Sequence, residues 1–73
     1  MVTIQQPIVI YVNGNPHSLE RSLSILELCQ VLGIHPRLVA IEYNGEILHR
    51  QFWQATQVNS GDRLEIVTIV GGG

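Results

Sequence analysis

An apolar run, a turn signal and a short polar run at the start of the chain have the pattern of a β-hairpin. Residues 7–12 (PIVIYV) are β-branched or aromatic after a proline, which is tolerated at the first position of a strand. Asn13 and Gly14 follow, and both residue types accept the positive φ that a two-residue hairpin turn requires. Residues 15–20 (NPHSLE) are short and polar enough for an edge strand. We therefore predict a hairpin over residues 7–20.

A helical pattern comes next. Ser24 and Glu27 have the spacing of a capping box, which satisfies two backbone N–H donors at the start of a helix. Gly33 suits the left-handed residue that ends a helix, and Pro36 prevents the helix from resuming. Between them an apolar stripe recurs at helical spacing: Ile25, Leu28, Cys29 and Leu32. The pattern predicts one helix of about three turns that packs against the hairpin.

The second half of the chain returns to strand patterns. Residues 37–48 (RLVAIEYNGEIL) alternate around a second Asn-Gly turn, Asn44 and Gly45. Residues 49–58 (HRQFWQATQV) favour a short helical turn that docks Phe52 and Trp53, and residues 59–62 have loop composition. Residues 63–70 (RLEIVTIV) predict a last strand that is apolar on both faces after Glu65, as is typical inside a sheet.

The order of these elements, β-β-α-β-(β)-β, predicts the α+β class. One amphipathic helix can cover only one face of a sheet, which favours the β-grasp, or ubiquitin-like, arrangement. We expect a mixed sheet of four to five strands with the last strand in the middle, parallel to the first. The chain then forms a single domain over residues 1–73, with a flexible glycine tail at residues 71–73.

Composition narrows the classes of partner. The chain has 73 residues, of which 45% are hydrophobic and 14% charged, as suits a small globular domain. A formal charge of −2 offers no basic patch for nucleic acid. The sequence shows neither a signal-peptide pattern nor an apolar stretch of about 18 residues, so we expect no membrane partner. Its single cysteine excludes an internal disulfide, and we expect a cytoplasmic location.

Side chains suited to catalysis are scarce. His17, His35 and His49 fall in three separate elements without metal-ligand spacing, so we predict no metal site. Cys29 belongs to the apolar stripe of the helix, and we predict that its thiol is buried as a small hydrophobic group. The acidic residues include no obvious pair for acid–base chemistry. We therefore expect that the chain is not an enzyme.

The last three residues offer a different kind of chemistry. A glycine tail directly after an ordered strand is either a flexible terminus without a function or a segment that carries a reactive group to another protein. Three or four extended residues reach roughly 10–14 Å, and glycine has no Cβ to obstruct a narrow channel. We expect the terminal carboxylate to lie on Gly73, with Gly71 and Gly72 as the arm that threads it into another enzyme. Activation by ATP would make that carboxylate open to attack by sulfur or by an amine.

Two long stretches carry a family resemblance. VAIEYNGEILHRQFW (residues 39–53) and SGDRLEIVTIVGGG (residues 60–73) resemble the ThiS sulfur carriers of thiamine (thiazole) biosynthesis. VNGNP and SILELCQVLGI fit the same family more loosely, and the similarity covers nearly the whole chain. His49 departs from the pattern, since many relatives have proline before the arginine. This difference bears on the local turn and leaves the tail unaffected.

The resemblance implies a carrier that other enzymes load and unload. A ThiF-like (E1-like) adenylyltransferase would adenylate Gly73 with ATP and magnesium, and a sulfur donor linked to cysteine desulfurase would convert it to a thiocarboxylate. The carrier would deliver this sulfur to thiazole synthase (ThiG) and hold no cofactor of its own. Relatives use the sheet surface beside the tail for docking, for which Val67 and Ile69 are the candidates here. The alternative is that both belong to a second core face.

Other functions share the predicted fold. The small subunit of molybdopterin synthase has the same thiocarboxylate chemistry, although it tends to be longer and to reach its glycines through a proline-containing segment. A ubiquitin-like protein modifier or a plain binding module is a further alternative. The sequence contains no lysine for building modifier chains; its four basic residues are Arg21, Arg37, Arg50 and Arg63.

Overall fold

A computed structural model describes residues 7–69 of the chain. Within these residues lie five strands and one α-helix: β1 (Ile8–Val12), β2 (Asn15–Leu19), α1 (Ile25–Val31), β3 (Val39–Tyr43), β4 (Glu46–Leu48) and β5 (Arg63–Thr68). Two short 3-10 turns, Pro36–Leu38 and Arg50–Phe52, precede β3 and follow β4. No helix in this part of the chain is long and apolar enough to cross a membrane.

The strands form one mixed sheet in the order β2-β1-β5-β3-β4. Strand β5 lies in the middle, parallel to β1 and antiparallel to β3. Both outer pairs are antiparallel hairpins, β1 with β2 and β3 with β4. This topology confirms the β-grasp arrangement and the central position of the last strand, and the sheet has five strands.

Both hairpin turns have the backbone that their Asn-Gly pairs predict. Asn13 and Asn44 each have a φ of 51°, and the following Gly14 and Gly45 have φ values of 83° and 89°. Positive φ at both central residues matches the right-handed twist of the flanking strands. These two turns fix the registers of the two hairpins.

Helix α1 begins as its sequence predicts and ends earlier. The Ser24 Oγ accepts from the Glu27 N–H at 3.1 Å, and a Glu27 carboxylate oxygen accepts from the Ser24 N–H at 3.0 Å. At the other end Gly33 has a φ of +71°, and the Ile34 N–H donates to the Cys29 carbonyl at 2.8 Å in a Schellman motif. The predicted length of about three turns is wrong, because the helix has seven residues and Leu32 already forms its C-cap.

One hydrophobic core lies between the helix and one face of the sheet. It is made of apolar side chains from every strand except β4, from the helix and from the loops: Ile10, Val12, Leu19, Leu23, Ile25, Leu28, Cys29, Val39, Ile41, Trp53, Val58, Leu64 and Ile66. Leu48 of β4 packs against this cluster as a half-buried residue. With few aromatic residues, Ile, Val and Leu fill most of the core, as the composition indicates.

Trp53 and Phe52 have different environments, so the prediction that both dock is only half right. Trp53 is 2% exposed, and its indole N–H donates to the Leu48 carbonyl at 2.9 Å, which satisfies the ring's polar atom. Phe52 is 48% exposed. Phe52 ends the 3-10 turn and Trp53 caps it, so neighbouring side chains point in different directions and only the tryptophan turns inward.

The segment before β3 also differs from its prediction. A strand pattern begins at Arg37 in the sequence, yet Arg37 and Leu38 lie in the first 3-10 turn and β3 begins at Val39. Pro36 supplies the fixed φ that suits the first position of such a turn. The His35 Nδ1 accepts from the Arg37 N–H at 3.2 Å and caps it.

Candidate functional site at the end of strand β5

The two faces of β5 differ sharply in burial. Leu64 and Ile66 point into the core, whereas Val67 is 54% exposed and Ile69, directly after the strand, is 52% exposed. Alternation along a strand places Val67 and Ile69 on the face away from the core. The alternative that they belong to a second core face is therefore wrong. Their role in docking stays a prediction, which the exposure permits.

On its β3 side, β5 is held up to the last described residue. Thr68 pairs with Val39 and Val67 with Ala40, in an antiparallel ladder of five residue pairs. One residue further, the Ile69 N–H donates to the Leu38 carbonyl at 2.8 Å. The backbone is thus fixed along this edge to the point where the chain continues into Val70.

On its β1 side, β5 is held by a side chain where the neighbouring strand stops. Strand β1 ends at Val12, opposite Leu64. Beyond that point the Asn13 Oδ1 accepts from the Ile66 N–H at 2.7 Å, and the Asn13 Nδ2 donates to the Ile66 carbonyl at 3.0 Å. The side-chain amide therefore occupies the place of a further strand residue.

The start of β5 is held by a cluster of polar side chains. The Asn44 Oδ1 accepts from the Arg63 N–H at 2.8 Å. The Asp62 carboxylate accepts from the Asn44 Nδ2 at 3.2 Å, from the Asn59 N–H at 2.7 Å and from the Tyr43 hydroxyl. Burial of the Tyr43 ring and its hydrogen bond to Asp62 raise the pKa of the phenol to about 12.

Sequence reasoning missed these anchors of β5. The sequence pattern indicates Asn13 and Asn44 only as turn formers, and Asp62 only as part of a loop. The repeated Asn-Gly pair is the signal that could have drawn attention to them, because the same residue type closes both hairpins beside the same strand. What the signal lacks is the identity of the hydrogen-bond partner, which in the case of Asn13 lies 53 positions away.

The other candidate side chains do not form a reactive centre within residues 7–69. The three histidines lie apart in the fold. His17 is on β2, His35 directly precedes the first 3-10 turn, and His49 directly precedes the second. No group of three or more potential metal ligands occurs in this part of the chain. Cys29 is buried in the core, as predicted, and burial raises the pKa of its thiol. Gly71, Gly72 and Gly73, on which the predicted chemistry depends, lie outside the described residues.

Comparisons of sequence and of structure with known proteins indicate the same family. The model of the ThiS family matches residues 10–73. Among solved structures, the crystal structure of the thiamine biosynthesis protein (ThiS) from Geobacter metallireducens superposes with a TM-score of 0.79 at 36% identity. This match covers 90% of this chain and 100% of that one.

Relatives of two kinds are similar to this chain in sequence. The ycf40 protein of Porphyra purpurea is 37% identical over 70 residues, covering 96% of this chain and 99% of the relative. A thiazole synthase of Paramagnetospirillum magneticum is 38% identical over 64 residues, covering 88% of this chain and 20% of that much longer protein. A second thiazole synthase, of Magnetococcus marinus, is 34% identical with the same coverage.

Proposed function

The chain belongs to the ThiS family, and from this premise we propose that it is a sulfur carrier in thiamine biosynthesis, serving formation of the thiazole ring. The observation that carries the proposal is the family match over residues 10–73, which includes the three glycines. In this role the protein is a substrate of other enzymes and performs no catalysis itself. The reactive group is the carboxylate of Gly73.

The chemistry follows from the properties of a carboxylate. Its pKa is about 3.3–3.7, so at neutral pH it is an anion and a poor electrophile. Attack of a Gly73 carboxylate oxygen on the α-phosphorus of ATP displaces pyrophosphate and gives an acyl adenylate. Hydrosulfide then attacks the acyl carbon, AMP leaves with the C–O bonding electrons, and a thiocarboxylate remains. No electrons are gained or lost in either step.

Three partners follow from this chemistry. A ThiF-like adenylyltransferase supplies the site for ATP and magnesium. A cysteine desulfurase-linked donor supplies sulfur as a persulfide, from which a thiol reductant releases hydrosulfide, and thiazole synthase (ThiG) consumes the thiocarboxylate. Support for the last partner comes from the thiazole synthases of Paramagnetospirillum magneticum and Magnetococcus marinus, each of which contains a region similar to this chain. The carrier itself binds no cofactor in this scheme.

The folded part of the protein offers a surface on which a partner enzyme can dock. The exposed side chain of Val67 lies on β5, and that of Ile69 comes directly after the strand, before the residues that lead to Gly73. Exposed apolar side chains that form a patch favour contact with another protein. We propose that the adenylyltransferase docks on this patch while Gly71 and Gly72 thread the carboxylate into its active site.

The proposal is tested by reconstitution with a ThiF-like adenylyltransferase, ATP and magnesium. We expect ATP-dependent release of pyrophosphate with the full chain and none with a variant that lacks Gly72 and Gly73. Circular dichroism of the truncated variant checks that the domain remains folded, since these residues follow the last strand. Pyrophosphate release that persists after the truncation would overturn the assignment of Gly73.

The pathway needs a separate test. A sulfur-loaded carrier is offered to thiazole synthase and, in parallel, to a molybdopterin synthase large subunit. We expect thiazole formation in the first reaction only. Sulfur transfer in the second reaction alone would assign the chain to the molybdopterin pathway and leave the thiocarboxylate chemistry intact.

A further inference from the structure

Strand β1 is too short to accompany β5 to its end. The two strands pair only at Tyr11 with Arg63 and at Val12 with Leu64. The Asn13 N–H still donates to the Leu64 carbonyl at 2.8 Å, after which the backbone turns away at a φ of 51°. From here to the end of β5, the β1 edge of the strand has no backbone neighbour in β1.

The Asn13 side chain takes over from the backbone at this point. Its amide is donor and acceptor at once, as a peptide group is, and it binds both the N–H and the carbonyl of Ile66. Both hydrogen bonds are partly buried, where a lost partner costs more than in water. The amide thus extends the β1–β5 ladder by one step.

Asn44 provides a matched comparison within the same molecule. It has the same φ of 51° and is followed by glycine in the other hairpin turn. Its Oδ1 also accepts from a backbone N–H of β5, that of Arg63. The difference is position, because Asn44 holds the first residue of β5 on the β3 side and Asn13 holds Ile66 near its end on the β1 side.

We propose that Asn13 is a positioning residue for loading of the carrier. By fixing Ile66 on the side that β1 leaves open, it holds in place the end of β5, the strand that precedes Gly73 in the sequence. An enzyme that binds the folded domain needs the Gly73 carboxylate at one position in its active site. A displacement of the reacting group by about 1 Å can lower the reaction rate by up to about a hundredfold. This inference rests on the proposed function.

The test compares Asn13→Gly with Asn44→Gly. Glycine adopts positive φ without steric strain, so each variant keeps its turn and loses its side-chain hydrogen bonds, and both variants bear the same entropic cost of glycine. Adenylation kinetics are measured with the full chain at a temperature where both variants are folded. We expect kcat to fall about tenfold for Asn13→Gly and to stay within about twofold for Asn44→Gly. Asn13→Asp keeps the acceptor for the Ile66 N–H but sets a carboxylate oxygen against the Ile66 carbonyl, so it should not restore the wild-type kcat.

Amide hydrogen exchange locates the effect in the structure. In Asn13→Gly we expect faster exchange at Ile66 with Arg63 unchanged, and in Asn44→Gly the reverse. Equal losses of kcat in the two glycine variants, in step with their losses of stability, would overturn the positioning role alone. A wild-type chain that is not adenylated at all would overturn the proposed function, and the inference would fall with it.

Discussion

At the scale of single residues, Asp62 shows how a loop carboxylate can organise a strand. It accepts hydrogen bonds from the Tyr43 hydroxyl, the Asn44 amide and the Asn59 backbone, and thereby joins the loop before β5 to β3 and its turn. The Asp62 N–H also donates back to the Asn59 carbonyl at 3.0 Å. Arg63, the first residue of β5, follows Asp62 directly. The cluster therefore fixes the position of Arg63 next to the residues that pair with β3.

The raised pKa of Tyr43 has a consequence for stability at high pH. In the unfolded chain the phenol ionises near its ordinary pKa of about 10, whereas in the folded protein it holds its proton to about 12. Protonation therefore favours the folded state fully below pH 10, and this contribution is lost as the pH rises from about 10 to about 12. We expect Tyr43→Phe to lack this component of the pH dependence.

Urea unfolding at several pH values from 8 to 12 measures the effect. The difference in unfolding free energy between wild type and Tyr43→Phe removes the contribution of Cys29, whose raised pKa is common to both proteins. A difference that stays constant across this range would mean that the Tyr43 proton is not held by Asp62 and burial.

At the scale of elements, helix α1 and the segment after β4 depend on each other. The first turn of the helix is satisfied by the capping box and by this segment, since the Ile25 N–H donates to the Thr56 carbonyl at 2.9 Å. The Val58 N–H in turn donates to the Leu23 carbonyl at 2.9 Å, and Trp53 packs in the core. The segment therefore satisfies backbone groups at the N-terminal end of the helix and holds that end in place.

The capping box should contribute measurably to stability. Replacing Ser24 by Ala removes the acceptor for the Glu27 N–H, and we expect the free energy of unfolding to fall by about 1 kcal/mol. Denaturant unfolding measures the change, with Ser18→Ala at an exposed position of β2 as the control. A loss for Ser24→Ala no larger than that of Ser18→Ala would show that the neighbouring segment alone holds the helix start.

These elements also show which parts of the fold can be predicted from sequence. The hairpin turns, the capping box and the Gly33 end are local, because the residues that cause them lie within a few positions of each other. Residues 49–58 lack a periodic pattern, and their conformation depends on hydrogen bonds to the helix start and to Leu48. The opposite environments of Phe52 and Trp53 follow from those tertiary contacts.

The candidate site divides in the same way. The glycines and the apolar residues before them are visible in the sequence, and Val67 and Ile69 are indeed accessible. The anchoring of Ile66 by Asn13 could not be predicted, because no local pattern specifies a partner 53 positions away. The side chain's bond to β5 exists only once the first and last strands lie side by side.

At the scale of the whole molecule, the sheet places its last strand at the centre. Strand β5 has β1 and β2 on one side and β3 and β4 on the other, so the part of the chain that leads to Gly73 leaves from the best-supported strand. One face of that strand packs in the core, and the other presents Val67 and Ile69.

The exposed patch can be tested without disturbing the fold. Val67→Thr with Ile69→Thr keeps a β-branched side chain at each position and replaces a methyl and an ethyl group, respectively, by a hydroxyl, so the strand retains its propensity. We expect the KM for adenylation to rise about fivefold, which corresponds to roughly 1 kcal/mol of lost apolar contact.

The control for the patch is Val31→Thr, which changes an exposed valine at the end of α1. Its KM should equal that of the wild type, and thermal unfolding should show that both variants remain folded at the assay temperature. An equal rise of KM in the two variants would contradict docking at the end of β5, because the effect would then not depend on position.

The central claim, that sulfur is carried on Gly73 and on no side chain, is tested most directly by fragmentation mass spectrometry of the loaded chain. The wild type is incubated with the adenylyltransferase, ATP, magnesium and sulfide, and the modified residue is located from the fragments. We expect one oxygen replaced by sulfur in every fragment that contains Gly73. An added sulfur atom in fragments that contain Cys29, with Gly73 unchanged, would contradict the account.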